Sequence, residues 1–193
     1  MKVHLHTRSL ELRPLNRRDR TLYCALYTDA ELLRHVSAPL SEEAARRSFE
    51  KVLLQVEASP PESLYWIFHA LDNPKPEGLG LMALVFDQGV AIAEIGVLLM
   101  PEGQGRGYAT EAIAAAADLS FDALGLNRLH TRHTPDNLAA SGLMRRLGFE
   151  LLVATSATDE TAGPPSCRWN LDREHWLARG RSPGGFALPR KTG

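Results

Sequence analysis

Apolar positions recur along the chain with two different periods, and the alternation between them predicts the order of elements. Leu10 and Leu12 alternate with Glu11 and Arg13 in SLELRPL (9–15), a two-residue period that predicts a strand closed by Pro14. In residues 18–36 the period lengthens: Leu22, Ala25 and Leu26, then Leu32, Leu33 and Val36, fall at helical spacing. A second amphipathic helix is predicted from Ser41 to about Ala58, with Ser41 as N-cap and Glu42 and Glu43 in the first turn, ended by Pro60-Pro61. Three closely spaced strands follow at 64–71, 78–86 and 90–100. The turn-forming segments DNPKPEG (72–78) and DQG (87–89) separate them, which predicts an antiparallel meander.

The second half is read the same way. A glycine-rich turn enters an alanine-rich helix over 103–125, and RLHTRHT (128–134) reads as a strand. Asp136-Asn137 opens a helix to about Leu147, with Gly148 as its stop. FELLVAT (149–155) and SCRWNLD (166–172) read as a closing hairpin, and REHWLA (173–178) as one helical turn. The pattern predicts a mixed α/β (α+β) domain over residues 1–178. Its sheet is twisted and mostly antiparallel, flanked by about four helices. Residues 179–193 carry four basic groups and no acid and read as a flexible tail.

Composition narrows the function classes. At 193 residues, with 44% hydrophobic and 23% charged, the chain can bury a core without metals or disulfides. Its 22 basic and 23 acidic residues leave a formal charge of −1, so nothing draws it globally to nucleic acid or an anionic membrane. Cys24 and Cys167 form no disulfide framework, and no apolar run reaches the length of a membrane span or a signal segment. A cytoplasmic location is expected. No metal site is expected either. His4 and His6 share a strand face near the chain start, and His130 and His133 point to opposite faces.

The chemistry concentrates in PEGQGRGYAT (101–110), where an apolar strand meets a helix. Glycines here let the backbone turn sharply and approach a ligand, and successive N–H groups at a helix start suit a phosphate. Two familiar phosphate motifs are absent: there is no Gly-Lys-Ser/Thr, and G-x-G-x-x-G fails from Gly103 (Tyr108 in last place) and from Gly105 (Thr110). On spacing alone, a plain tight turn and a phosphate cradle are both open.

The wider pattern resembles the GNAT superfamily of N-acetyltransferases. Gln104-x-x-Gly107-x-Ala109 is similar to its acetyl-CoA pyrophosphate loop. AEIGVLLMPEGQGRGYATEAI (93–113) resembles the fourth strand and third helix of that fold, and NLAASGLMRRLGFE (137–150) its fourth helix. SLELRPLNRRD (9–19) and WNLDREHWLA (169–178) resemble the RimJ/RimL-like branch, which contains protein N-terminal and small-amine acetyltransferases. The resemblance implies acetyl-CoA as co-substrate. Its pyrophosphate would lie on the amides of Gln104, Gly105, Arg106, Gly107, Tyr108 and Ala109, with Thr110 nearby. The pantetheine arm would lie along the backbone of Val97, Leu98 and Leu99, and Asn137 near the thioester.

It further implies direct attack of a neutral amine on the thioester. An α-amine with a pKa of about 7.7–8.0 is roughly a tenth free at pH 7, whereas a lysine amine near 10.4 is almost wholly protonated. Glu94 interrupts an apolar run and matches an acidic position used as base. Apolar neighbours would raise its proton affinity; a solvent-facing residue or ion-pair partner is the other reading. The family's usual acidic tyrosine falls at Met144, and the branch's serine at Ala140, with Ser141 displaced by one residue, or about 100° around the helix. Tyr23, Tyr27 and His35 fall where similar proteins wall the acceptor pocket. The expected partner is an amine, either a protein N-terminus or a small molecule, and a homodimer is left open. A non-catalytic acyl-CoA-binding module is the alternative that the missing tyrosine and shifted serine allow.

Overall fold

The computed structural model describes residues 3–72, 75, 77–154 and 165–180. Its strands are β1 (Leu5–His6), β2 (Leu10–Pro14), β3 (Ser63–Ala70), β4 (Gly80–Phe86), β5 (Ile92–Leu99), β6 (Arg128–His133), β7 (Glu150–Ala154) and β8 (Cys167–Asp172). They form one sheet in the order β1-β2-β3-β4-β5-β6-β8-β7. Every neighbouring pair is antiparallel except β5–β6. The predicted meander is present as β3-β4-β5, with Ile67 opposite Leu81 and Leu81 opposite Leu98.

Among the described residues six helices flank this sheet: the helix read over 18–36 is two, and the turn read over 173–178 is the last. They are α1 (Arg20–Thr28), α2 (Ala30–Leu33), α3 (Glu42–Glu57), α4 (Tyr108–Asp118), α5 (Leu138–Leu147) and α6 (Arg173–Ala178). The helix predicted over 18–36 is broken at Asp29. That residue is extended (φ −81°, ψ 111°), and its carboxylate accepts from the N–H groups of Glu31 and Leu32, so it caps α2 instead of continuing α1. Helical periodicity cannot see this break, because the apolar residues resume in phase. The alanine-rich helix also ends earlier than Gly125: a π-helical turn over Leu119–Ala123 follows Asp118. Among the described residues, no helix is long and apolar enough to cross a membrane.

Alternation along the strands divides the core into two layers. Leu10, Leu12, Trp66, Phe68, Met82, Leu84, Ala93 and Ile95 face α4 and α5. The alternate positions Ile67, Leu81 and Leu98 face α1 and α3 through Leu22, Leu26, Phe49 and Leu53. Burying each large side chain contributes about 1.5–3 kcal/mol. Small alanines at 112 and 114–117 let α4 lie close against its layer. Leu5 is fully buried, so the two-residue β1, read from sequence only as the face shared by His4 and His6, is pinned to the sheet edge.

The β1–β2 turn is latched to the first turn of α4. The Glu111 carboxylate accepts from Thr7 Oγ1 (2.7 Å), Ser9 N–H (3.0 Å) and Ser9 Oγ (3.0 Å). Burial opposes its charge, but these hydrogen bonds outweigh burial and hold the carboxyl below the ordinary glutamate range. Glu111→Gln is therefore expected to lose about 2 kcal/mol at neutral pH, read by urea unfolding. Because the folded-state proton affinity is lowered, the contribution is whole above about pH 4.5. It fades as pH falls through the lower folded value, so the two proteins' stabilities should converge in acid.

Candidate active site

The site begins where β5 and β6 part. β5 pairs with β4 along its whole length, from Ala93 opposite Phe86 to Leu99 opposite Gly80. With β6 it pairs only at Ile92, Ala93 and Glu94. β6 instead follows β8 through His133 opposite Cys167. At its end the Trp169 indole N–H donates to His133 Nε2 (2.9 Å), while His133 Nδ1 lies 2.8 Å from the Thr134 carbonyl. This end of β6 is thus committed to β8, and the edge of β5 beyond Glu94 is open.

Strand alternation decides which groups line that opening. Met100 N–H donates to Leu79, so the peptide groups of Leu98, two residues back, also face β4. Those of Val97 and Leu99 face the opening. Of the three edge residues expected from sequence, Leu98 is therefore turned into the β4 ladder.

The loop after β5 is built from the backbone outward. Gly103 N–H donates to Met100 (2.9 Å) and Gln104 N–H to Pro101 (3.1 Å). The Gln104 side chain donates to the Leu99 carbonyl (3.0 Å). The Gln104 amide is thus consumed within the loop, and the glutamine braces the turn onto the strand. Gly105 and Gly107 then adopt φ of +70° and +79°, and a Cβ at either would meet no atom within 4 Å. That left-handed backbone fits glycine and leaves the outer side of the loop open. The first α4 amide with an acceptor at its N-terminus is Glu111, bonded to Gly107 (3.1 Å). Tyr108, Ala109 and Thr110 precede it as orphan helix-start donors, and Gly107 supplies no side-chain cap. Among the described residues, Gly105, Arg106 and Gly107 N–H likewise have no protein acceptor. The arrangement is a nest of amides at a positive helix end.

Arg106 is held to one side of this nest. Its Nη2 lies 2.7 Å from Asp72 Oδ2, and its guanidinium sits 5.1 Å from the Tyr108 ring centre. Tyr108 Oη donates to the other Asp72 oxygen (3.3 Å). Asp72 carried no signal in the sequence, because it approaches Arg106 across 34 residues of chain.

Glu94 stands at the fork itself. The apolar enclosure expected around it is not what the chain builds: its side chain is 39% exposed, and Arg132 Nε lies 3.5 Å from Oε1. It shares the α1–α3 face of β5 with Gly96, where a Cβ would again meet nothing within 4 Å. Tyr65, Ala83 and Gly96 form one row across β3, β4 and β5. The Tyr23 and Tyr27 rings lie 4.4 Å apart between centres, tilted by 31°, and Tyr23 Oη lies 2.9 Å from Ser48 Oγ. Burial, then neighbouring phenol and carboxylate charges, pushes Tyr27 and Tyr65 well above the ordinary tyrosine range, so both stay protonated donors. Strand register alone puts Tyr65 in the row of Gly96, on the face that Glu94 shares.

On the far side of the opening, Asn137 caps α5, its side-chain oxygen accepting from Ala140 N–H (2.9 Å). Ser141, Met144 and Leu147 form the buried stripe of α5, so Ser141 is the polar member of an otherwise apolar row. Thr134 N–H donates to the His35 carbonyl (3.3 Å), and His35 Nδ1 lies 3.2 Å from Asp136. These contacts tie the segment after α2 to the β6–α5 connection. The amide nest, the open strand edge and the carboxylate at the fork thus lie in sequence along β5.

Comparison with known proteins agrees with this geometry. Residues 9–150 match the acetyltransferase (GNAT) domain family. The chain is 25% identical over 148 residues to the uncharacterized N-acetyltransferase p20 of Bacillus licheniformis, covering 76% of this chain and 82% of that protein. It is similar in fold to the spermidine N-acetyltransferase of Vibrio cholerae solved with CoA and spermine (TM-score 0.73, 21% identity, 87% of this chain and 98% of that one). It is also similar to RimL, a ribosomal L7/L12 α-N-protein acetyltransferase solved with CoA (TM-score 0.72, 17% identity, 88% and 98%).

The nest predicts a specific sensitivity. Gly107→Ala places a side chain in the left-handed region at a cost of about 1–2 kcal/mol. It should reduce the thermal shift given by CoA well beyond the fall in the free protein's own melting temperature. An unchanged CoA-induced shift in Gly107→Ala would contradict the assignment of these amides.

Proposed function

The chain belongs to the acetyltransferase (GNAT) domain family and is an acetyl-CoA-dependent N-acetyltransferase, and on that premise we propose that its acceptor is the α-amino group of a protein or peptide, as in the RimJ/RimL-like branch. The observation that carries this reading is the setting of Glu94. It is not walled in by apolar groups: water reaches it and Arg132 Nε lies 3.5 Å away. An α-amine, already about a tenth neutral at pH 7, asks little of such a base; a lysine or polyamine amine asks far more. The fold is shared alike with RimL and with the spermidine N-acetyltransferase, so the choice between their acceptor classes rests on the site.

In this reading residues 1–178 act as one acetyltransferase domain. The basic segment expected at 179–193 lies, from 181 onward, outside the described residues. The amides of Gly105 to Ala109 and Thr110 hold the pyrophosphate, while Gln104 shapes the loop that presents them. Val97 and Leu99 extend the sheet onto the pantetheine arm, and Asn137 lies near the thioester. The amine nitrogen attacks the acetyl carbon, the carbon–sulfur bond breaks, and the sulfur leaves with the electron pair. The proton lost by nitrogen passes through water to Glu94. Ser141, the polar residue in the buried stripe of α5, meets the sulfur. The protonated Tyr27 and Tyr65 line the acceptor side and offer donors where the helix position of the usual tyrosine holds Met144.

Thiol release from acetyl-CoA, measured over free and Nα-blocked peptides and over spermidine, tests the acceptor class. Peptides with a free α-amine are expected to turn over and their Nα-blocked counterparts not. Preference for spermidine would overturn the α-amine reading, and no turnover with any amine would favour a binding module. Glu94→Gln is expected to lower kcat no more than about tenfold near pH 7, since about a tenth of an α-amine is already neutral there. The deficit should narrow as rising pH deprotonates the amine directly; a pH-independent deficit would remove Glu94 from proton transfer.

A further inference from the structure

Antiparallel pairing at the sheet edge assembles a cluster that lies outside the acetyl-transfer site. His4 and His6 lie two residues apart, so their side chains leave the same face of β1. Glu11 of β2 stands directly opposite His6 in the register. Leu5 and Leu12 point into the core on the other face, which fixes these three polar side chains outward. The two imidazole rings lie nearly parallel, 15° apart in plane and 6.4 Å between centres. One ligand atom from each residue falls within 4.8 Å of the other two.

We propose that His4, His6 and Glu11 form a binding site for a divalent transition metal of the zinc class, separate from the active site. Two imidazoles and one carboxylate are a donor set suited to such ions. Bonds of about 2.0–2.1 Å in a tetrahedral site set donor atoms about 3.3 Å apart. His4 Nδ1 and Glu11 Oε1 are already 3.4 Å apart. His6 completes the set by side-chain rotation, since both histidines are exposed. The cation two residues along the same face of β2, Arg13, does not oppose a second positive charge. Its guanidinium is bound to the buried Asp19 carboxylate by hydrogen bonds of 2.7 and 3.1 Å.

On the next strand His69 stands opposite Glu11, on the same face, with its Nε2 buried. Among the described residues, the ligand atoms that lie within 4.8 Å of one another are those of His4, His6 and Glu11. A bound ion would take its fourth ligand from water. Sequence spacing brings His4 together with His6 alone; the strand register supplies Glu11.

Isothermal titration of the full chain with Zn2+ tests the proposal without using acetyl transfer as a readout. One equivalent is expected to bind saturably and to raise the melting temperature of the protein. His4→Ala/His6→Ala should bind Zn2+ at least about tenfold more weakly, and Glu11→Gln should also weaken it. His175→Ala, which alters an imidazole paired with Glu150 elsewhere, should bind as the parent does. The CoA-induced thermal shift should be the same in all of these proteins, which certifies the fold of each variant. Absence of saturable Zn2+ binding, or equal binding by the parent and His4→Ala/His6→Ala, would overturn the site. Equal loss in His175→Ala would also overturn it, by showing diffuse association with surface histidines.

Discussion

A backbone N–H group cannot be left dry and unpaired without cost, and this chain leaves a row of them together. The parting of β5 from β6 after Glu94 frees the outward peptide groups of Val97 and the N–H of Leu99, whose carbonyl accepts from the Gln104 side chain. The left-handed glycines then turn a run of further donors outward at the start of α4. In a sheet these groups would be satisfied by a neighbouring strand; here that neighbour has been drawn away by Trp169 and His133. The opening is therefore a place where an extended, anionic-ended molecule completes the hydrogen bonding of the protein itself.

The rest of the fold holds that opening in shape. α4 cannot drift, because alanines at 112 and 114–117 seat it against the sheet and Glu111 ties it to the β1–β2 turn. The opposite layer fixes α1 and α3 over Ile67, Leu81 and Leu98, which sets the tyrosines of α1 near Tyr65. Arg106 is partnered by Asp72, which holds its guanidinium to one side of the amide nest.

Much of this was legible in the sequence for a physical reason: it is carried by local chemistry. The alternating strands of the meander, the Ser41 cap of α3, the Gly148 stop and the glycine turn all act within a few residues of themselves. The α1–α2 break was missed because Asp29 ends one helix and caps the next without disturbing the apolar phase. Asp72, Arg132 and Tyr65 were missed as site residues because register and loop return place them, not local pattern. Leu98 and the Gln104 amide were over-read, since alternation and a tight turn direct their backbone groups inward. Glu11 meets the N-terminal histidines only after β1 and β2 have paired.

The most direct measurement of the central claim is an amide NMR titration of the 15N-labelled protein with CoA. The account predicts that the backbone resonances of Gly105 to Thr110 and of Val97 move together and saturate at one equivalent, with those of the β4-facing Leu98 less affected. Saturable shifts that fall elsewhere, with the glycine amides of the loop unmoved, would contradict it.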